Sequence, residues 1–318
     1  MRILIVAAWY PTPECPIGGT FIAQQARALG QRHDVTVVAP HVSATAPHGD
    51  TLQNDPEVLR PWVAFGRGFL TRYSRAIRAA ARKTRPDVIH AHVTLPAGVA
   101  AVAAGWFTGT PVVITEHMGP FSTFTRTMRD RIKVRFALRN AAAVIAVSRS
   151  LAENIRATGI RRPIDVVPNV VDTSVFRCDE SPQPTDGACR VLFVGRLSDE
   201  QKNLPSLLRA IATLRERGDH QLTVVGEGAF LERYRQLART LGIADACRFI
   251  PYATPVELAR LLHEHSLLAL PSLGETFGCV LAEALAAGRP VVATDCGGPR
   301  DIVTANDGIL VPIDDDSR

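Results

Sequence analysis

Along the chain, short runs of consecutive β-branched and apolar residues alternate with longer stretches whose apolar positions recur at helical spacing. The strand-like runs of the first half fall at 2–8 (RILIVAA), 34–39, 87–91, 111–115, 143–147 and 164–167, with helical patterns between them at 21–30, 68–84, 97–106, 127–141 and 149–158. The second half repeats the scheme, with strands at 190–194 (RVLFV), 221–225, 247–250, 267–270, 290–294 and 309–311. Its helices are expected at 203–217, 229–241, 255–264, 277–287 and 299–304. Strands that are apolar throughout and joined by helices belong to parallel sheets covered on both faces. Two such sets in succession predict an α/β protein of two doubly wound, Rossmann-like domains, each with its loops clustered at the strand C-terminal ends.

The stretch 173–189 (TSVFRCDESPQPTDGAC) is the one long polar, proline-containing segment and reads as a linker, which sets the expected domains at 1–172 and 173–318. The length of 318 residues agrees with two domains. The cleft between two such domains is then the default binding site. No apolar run approaches the ~20 residues of a spanning helix, and MRILIVAAWYP reads as a strand rather than a signal peptide, so a cytoplasmic chain is expected. The six cysteines lack metal-ligand spacing and read as buried or incidental thiols.

The net charge of +5 conceals a split: residues 1–172 hold 21 Lys+Arg against 11 Asp+Glu, and residues 173–318 hold 15 against 20. Three of the 36 basic residues are lysines, at 83, 133 and 202, so Lys202 alone represents that residue type in the second half.

Three loops carry candidate chemistry. Gly18 and Gly19 precede the first helix, where glycine lets backbone approach a ligand and a helix N-terminus attracts anions. The long proline-containing loop before them is not a GxGxxG fingerprint, which argues against a nicotinamide or flavin site. In 193–203 (FVGRLSDEQKN), Arg196 and Lys202 follow a strand and can converge on a pyrophosphate, with Asn203 placed to cap the next helix. In 270–288 (LPSLGETFGCVLAEALAAG), Thr276 is placed to cap a helix ending at Gly288. Glu283 lies among apolar positions and needs a hydrogen-bonding partner, for which vicinal ribose hydroxyls are suited. The amides of Thr276, Phe277 and Gly278 would face phosphates, and Glu275 could accept bonds from sugar hydroxyls.

The GR–x5–KN element, the GEG at 226–228 and the E–x7–E string from Glu275 to Glu283, followed by VVATDCGGPRDIV, resemble family 4 glycosyltransferases. The resemblance implies the GT-B fold, two Rossmann-like domains facing each other across a cleft, and retaining transfer of a hexose from a UDP- or GDP-sugar. By that resemblance Arg196 and Lys202 hold the donor diphosphate, Glu283 binds the ribose, and Glu275 with the amides of Phe277 and Gly278 addresses the sugar. Gly226 lies beside the base, and Gly18 and Gly19 close over the diphosphate. His117, which ends the run PVVITEH, matches a family histidine near the transferred sugar, with Glu116 as a neighbour rather than a base. His90 and His92 end another strand facing the same way and could contact acceptor or orient the loop.

No metal and no cofactor beyond the donor sugar are expected: the Asp-x-Asp match at Asp314–Asp316 reads as a solvated turn. Residues 67–85 hold seven basic side chains and no acid, interleaved with Phe69, Leu70, Tyr73 and Ile77; residues 126–139 hold six against Asp130. Both segments suit anionic headgroups or a solvated arginine face, and the first fits a peripheral enzyme on the inner face of a membrane with a glycan or lipid-linked acceptor. No nucleic-acid-binding motif is present. The family continues beyond its last strand with further helices, whereas LVPIDDDSR ends this chain. The alternative expectation is therefore a nucleotide-sugar-binding protein with little transferase activity.

Overall fold

The computed structural model describes residues 1–40, 56–64, 66–178, 188–198 and 200–313, and the chain divides into two compact units, Met1–Val170 and Val171–Arg318. Asp314–Asp316 and residues 179–187 of the expected linker lie outside the described residues.

The first unit runs β1 (Arg2–Ala7), α1 (Thr20–Gly30), β2 (Asp34–Val38), β3 (Glu57–Leu59), α2 (Phe69–Thr84), β4 (Val88–His92), α3 (Val99–Thr108), β5 (Val112–Glu116), α4 (Met128–Asn140), β6 (Ala143–Ala146), α5 (Arg149–Ala157) and β7 (Asp165–Val166). Its seven strands are all parallel, in the order β3-β2-β1-β4-β5-β6-β7. The second unit runs β8 (Arg190–Val194), α6 (Leu204–Arg215), β9 (Gln221–Val225), α7 (Leu231–Thr240), β10 (Cys247–Ile250), α8 (Pro255–Glu264), β11 (Leu267–Leu270), α9 (Cys279–Ala286), β12 (Val291–Thr294) and β13 (Gly308–Val311). Its parallel order is β10-β9-β8-β11-β12-β13. Each unit is thus a doubly wound sheet whose strand order reverses once, between β1 and β4 and between β8 and β11, and the loops diverging from those strand ends leave a crevice.

The central strands are buried because helices cover both faces: Leu4, Ile5, Val6 and Ile89 in one sheet and Leu192, Phe193 and Leu222 in the other are out of solvent. Local signals set several helix starts. Thr254 and Glu257 form a reciprocal capping box at α8, and the Ser148 hydroxyl accepts the Leu151 amide at α5.

Three expectations are corrected. The segment after 173 is not merely a linker, because Phe176 is buried in the core of the second unit with Val175 packed against it. The helix expected at 299–304 is a short 3-10 turn over Gly298–Asp301, where Pro299 and two preceding glycines do not sustain an α-helix. The apolar side of α2 is not available to a membrane: Tyr73 and Ile77 are fully buried, and the Tyr73 hydroxyl donates to the Ala7 carbonyl at 2.8 Å. The six thiols form no disulfide, as expected of incidental cysteines; none is fully buried, and Cys15 and Cys178 are exposed. The pattern also missed β3, whose three residues are too few to display a period. No described helix is long and apolar enough to cross a membrane.

Candidate functional site

In the second unit, the crevice at the β8/β11 reversal is bounded by the loops 195–203 and 271–278. Side chains stitch these loops together. The Lys202 ammonium is ion-paired with Glu275 Oε1, and the Ser272 hydroxyl donates to the same oxygen at 2.8 Å. Gln201 Nε2 donates to the Gly274 carbonyl at 2.6 Å, and the Leu273 amide donates back to the Gln201 carbonyl at 2.7 Å. The Lys202 and Glu275 side chains are 21% and 11% exposed, so the pair is shielded from bulk water yet open on one side. An ammonium has three donors, and a cation held at this depth attracts an anion more strongly than one on a free surface.

The neighbouring loop, 226–228, extends the parallel pairing past the strand ends. Gly195 N donates to the Val225 carbonyl at 3.0 Å and Leu197 N to the Glu227 carbonyl at 2.9 Å. Gly226 has φ 155°, and a Cβ there would sit 1.9 Å from the Gly195 carbonyl oxygen, so only glycine fits. Gly226 is thereby fixed beside Gly195 and the exposed Arg196.

The Glu275 carbonyl accepts the Gly298 amide at 2.8 Å, which ties the loop to the end of β12. Neither expected side-chain cap forms. The residue capping α9 is Gly278, at φ 97° and without a side-chain bond, so the helix begins at Cys279 and Thr276 lies in the loop. Asn203 does precede α6, but in the left-handed conformation with its side chain not capping. Phe277 is buried and anchors the turn, while Glu283 lies part-buried on α9 between the buried Leu281 and Ala284.

In the first unit, β4 and β5 present His90, His92, Thr115 and His117 on one face, because successive side chains alternate and His92 pairs in register with Thr115. His92 Nδ1 and His117 Nε2 share a hydrogen bond of 2.9 Å, and His90 Nε2 and the Thr115 hydroxyl share one of 2.7 Å. The His90 and His92 rings lie 4.4 Å apart, and His117 lies 4.5 Å from the ring of Phe21 on α1. Gly19 caps α1 at φ 72°, where a Cβ would meet the Trp9 carbonyl oxygen at 2.4 Å. The glycine loop and His117 are thus brought together through Phe21.

Burial pushes His90 down to about 4 and His117 down to about 3; near Asn169 the latter shift is opposed. Burial and the two neighbouring imidazoles hold His92 well below the usual histidine range. All three rings are therefore neutral at pH 7, and one nitrogen of the His92–His117 pair donates to the other. Fully buried, His92 shares its Nδ1 hydrogen bond with His117.

Glu116 is also buried, and burial raises its pKa against three backbone donors: Thr94 N, His117 N and Met118 N, each at 2.9 Å. Its oxygens thus hold the loops after β4 and β5 together. Val93, between them, has φ 73°, a strained conformation for a β-branched residue.

The sequence reading missed Ser272 and Gln201, which position the Lys202–Glu275 pair. The Ser-x-x-Glu spacing at 272–275 was the available signal for the first; Gln201 carried none.

Two parallel α/β units with a charged pair at the second switch point define the class, and comparison with known proteins gives the family. A family model described as Glycosyltransferase Family 4 matches residues 18–175, and one described as Glycosyl transferases group 1 matches residues 188–318. The chain is 29% identical over 334 residues to a glycogen synthase of Mycobacterium tuberculosis, covering 94% of this chain and 79% of that one. It is 35% identical over 264 residues to a D-inositol 3-phosphate glycosyltransferase of Frankia alni, covering 73% and 63%. A solved Anabaena structure, HepE in complex with UDP-glucose, matches with a TM-score of 0.76 at 21% identity over 98% of this chain and 85% of that one. The chain belongs to the family 4 glycosyltransferases of the GT-B fold.

Proposed function

We propose that this glycosyltransferase moves a hexose, with retention and without a metal, from a UDP- or GDP-sugar to a hydroxyl of a glycan or lipid-linked acceptor. The observation that carries the donor assignment is the Lys202–Glu275 pair, braced by Ser272 and Gln201 at the switch point of the second sheet. The UDP-glucose bound by the Anabaena neighbour supports a uridine donor.

In this reading Arg196, Lys202 and the amides of Phe277 and Gly278 offset charge that develops on the departing diphosphate, while the anomeric carbon gains oxocarbenium character. Glu283 binds the ribose, Gly226 lines the base, and Glu275 orients the sugar through its hydroxyls. Gly18 and Gly19 close over the diphosphate, and neutral His117 hydrogen-bonds a sugar hydroxyl. The acceptor attacks from the face the diphosphate leaves, and a phosphate oxygen takes its proton, so no protein nucleophile is required.

Calorimetric titration with UDP and with GDP, in the absence of metal, tests this. The wild type should bind one of them at micromolar concentration, and Lys202→Ala and Glu283→Ala should each lose that binding. A folded wild type that binds neither would overturn the donor assignment. Turnover with the chosen sugar nucleotide and NMR of the product's anomeric proton would then report retention.

A further inference from the structure

The first unit exposes a surface that the donor reading does not use. Trp106 and Phe107 end α3 at 64% and 69% exposed, and Met128 and Ile132 lie on the first turns of α4 at 66% and 62%. Trp106, Met128 and Ile132 form one tract by way of Phe136, with Phe107 next to Trp106 at its end. Trp106 packs edge-on against Phe136 with centroids 5.0 Å apart; Phe136 stands one turn beyond Ile132, and Ile132 one turn beyond Met128. Single exposed apolar residues are ordinary, but a continuous tract with two aromatics marks an interaction site.

The charge around this tract is predominantly positive. The Arg78 guanidinium lies 4.1 Å over the Phe107 ring. Toward its C-terminal end, the same exposed side of α4 borders a hollow of about 480 Å³, lined by Arg135, Arg139, Gly159, Ile160, Arg161 and Arg162. Arg162 is committed to the structure, donating to the carbonyls of Leu138, Ala141 and Ala142. Arg135 makes one long bond, to the Thr158 carbonyl at 3.4 Å, and neither it nor Arg139 nor Arg161 has an ion pair among the described residues. Asp130, the acid of α4, is taken by Lys133 at 2.9 Å.

We infer that this face docks onto an anionic lipid bilayer. Trp106, Phe107, Met128 and Ile132 enter the boundary between headgroups and acyl chains, and Arg135, Arg139 and Arg161 take lipid phosphates in the hollow beside them. Charge complementarity selects the occupant: uncompensated guanidinium forks match phosphate oxygens, and an indole at the edge of an apolar tract suits the membrane–water boundary. The docking element is thus the α3 tip with the outer side of α4, not the apolar side of α2, which the core consumes.

Co-sedimentation with vesicles of phosphatidylcholine, with and without phosphatidylglycerol, tests the assignment on the full chain. The wild type should bind the anionic vesicles at least tenfold more tightly than the neutral ones. Replacing Arg135, Arg139 and Arg161 together by Gln should weaken anionic binding about a hundredfold, since each arginine near such a surface counts for about fivefold. Trp106→Ser with Phe107→Ser should weaken it at least tenfold.

These side chains are exposed, so both variants should keep the wild-type melting temperature, which separates lost docking from lost folding. Absence of sedimentation with anionic vesicles, equal binding to both compositions, or variants that sediment like the wild type would overturn the inference. So would a dimer in solution that Trp106→Ser dissociates, because a second copy would then occupy the tract. The nucleotide titration on Lys202 and Glu283 reads a different unit, so failure of either experiment leaves the other interpretable.

Discussion

Lys202 and Glu275 are 73 residues apart in the chain, and their side chains meet as an ion pair across the switch point of the second sheet. Ser272 holds the same carboxylate oxygen from below and Gln201 laces the two loops, so the pair is fixed on both sides.

Loss of either charge should therefore affect stability as well as ligand binding. Removing one member of a shielded pair leaves the other uncompensated, which costs several kcal/mol when fully buried and about 1–2 kcal/mol at this partial exposure. Lys202→Ala and Glu275→Gln should each lower the urea midpoint of the second unit. The double variant should fall short of the sum, giving a measurable coupling energy. Additive effects would show that the pair contributes nothing.

The close approach at Gly226 leads to a sharper expectation. A Cβ there would lie 1.9 Å from the Gly195 carbonyl oxygen, far inside van der Waals contact, so Gly226→Ala must move the loop. A destabilisation of about 2–4 kcal/mol is expected, together with loss of nucleotide binding in calorimetry. Wild-type affinity in a variant of wild-type stability would refute the packing described.

The histidine cluster should make the first unit sensitive to acid. His90 at about 4 and His117 at about 3 stand below the unfolded value of about 6.5, with His92 depressed as well. Between those limits the unfolded chain binds protons that the folded one refuses. Stability is thus fully present above pH 6.5 and is lost as pH falls toward 4. Glu116 acts in the opposite direction, because burial raises its pKa. Three depressed imidazoles outweigh it, and His265 in the second unit adds to the same trend. Urea midpoints should drop markedly from pH 7.5 to pH 5, and His90→Gln, which can keep the bond to Thr115, should flatten that slope.

Phe176 reports where the second unit begins. Its ring is fully buried among Leu281, Ala284 and their neighbours, so Phe176→Ala should cost about 3–5 kcal/mol. Calorimetric scanning should show that loss in the transition of the second unit and not the first. A variant that melts like the wild type would restore the view of this segment as a plain linker.

Most of the alternation of strand and helix was legible because buried parallel strands leave continuous apolar runs such as RILIVAA and RVLFV. The misses share a cause: they lie where the local pattern is short or interrupted. Three residues of β3 show no period, and Pro299 after two glycines ends as one 3-10 turn. Thr276 has a good capping side chain, yet the left-handed Gly278 two residues later decides where α9 starts. The apolar residues of α2 signalled an amphipathic helix correctly; which partner takes that face is a question of packing, and the core took it.

By itself, then, the sequence determined the class of fold, the two sheets, and the residues around each switch point. Hydrophobic periodicity and glycine placement are local properties, and the order of strands within each sheet came only with the structure. Only the tertiary structure decided that Lys202 faces Glu275, that His92 holds His117 and that the Trp106 tip stands in water beside unpaired arginines. Each of those is a contact, or the absence of one, between side chains that the chain brings together from separate elements, and no local pattern encodes it.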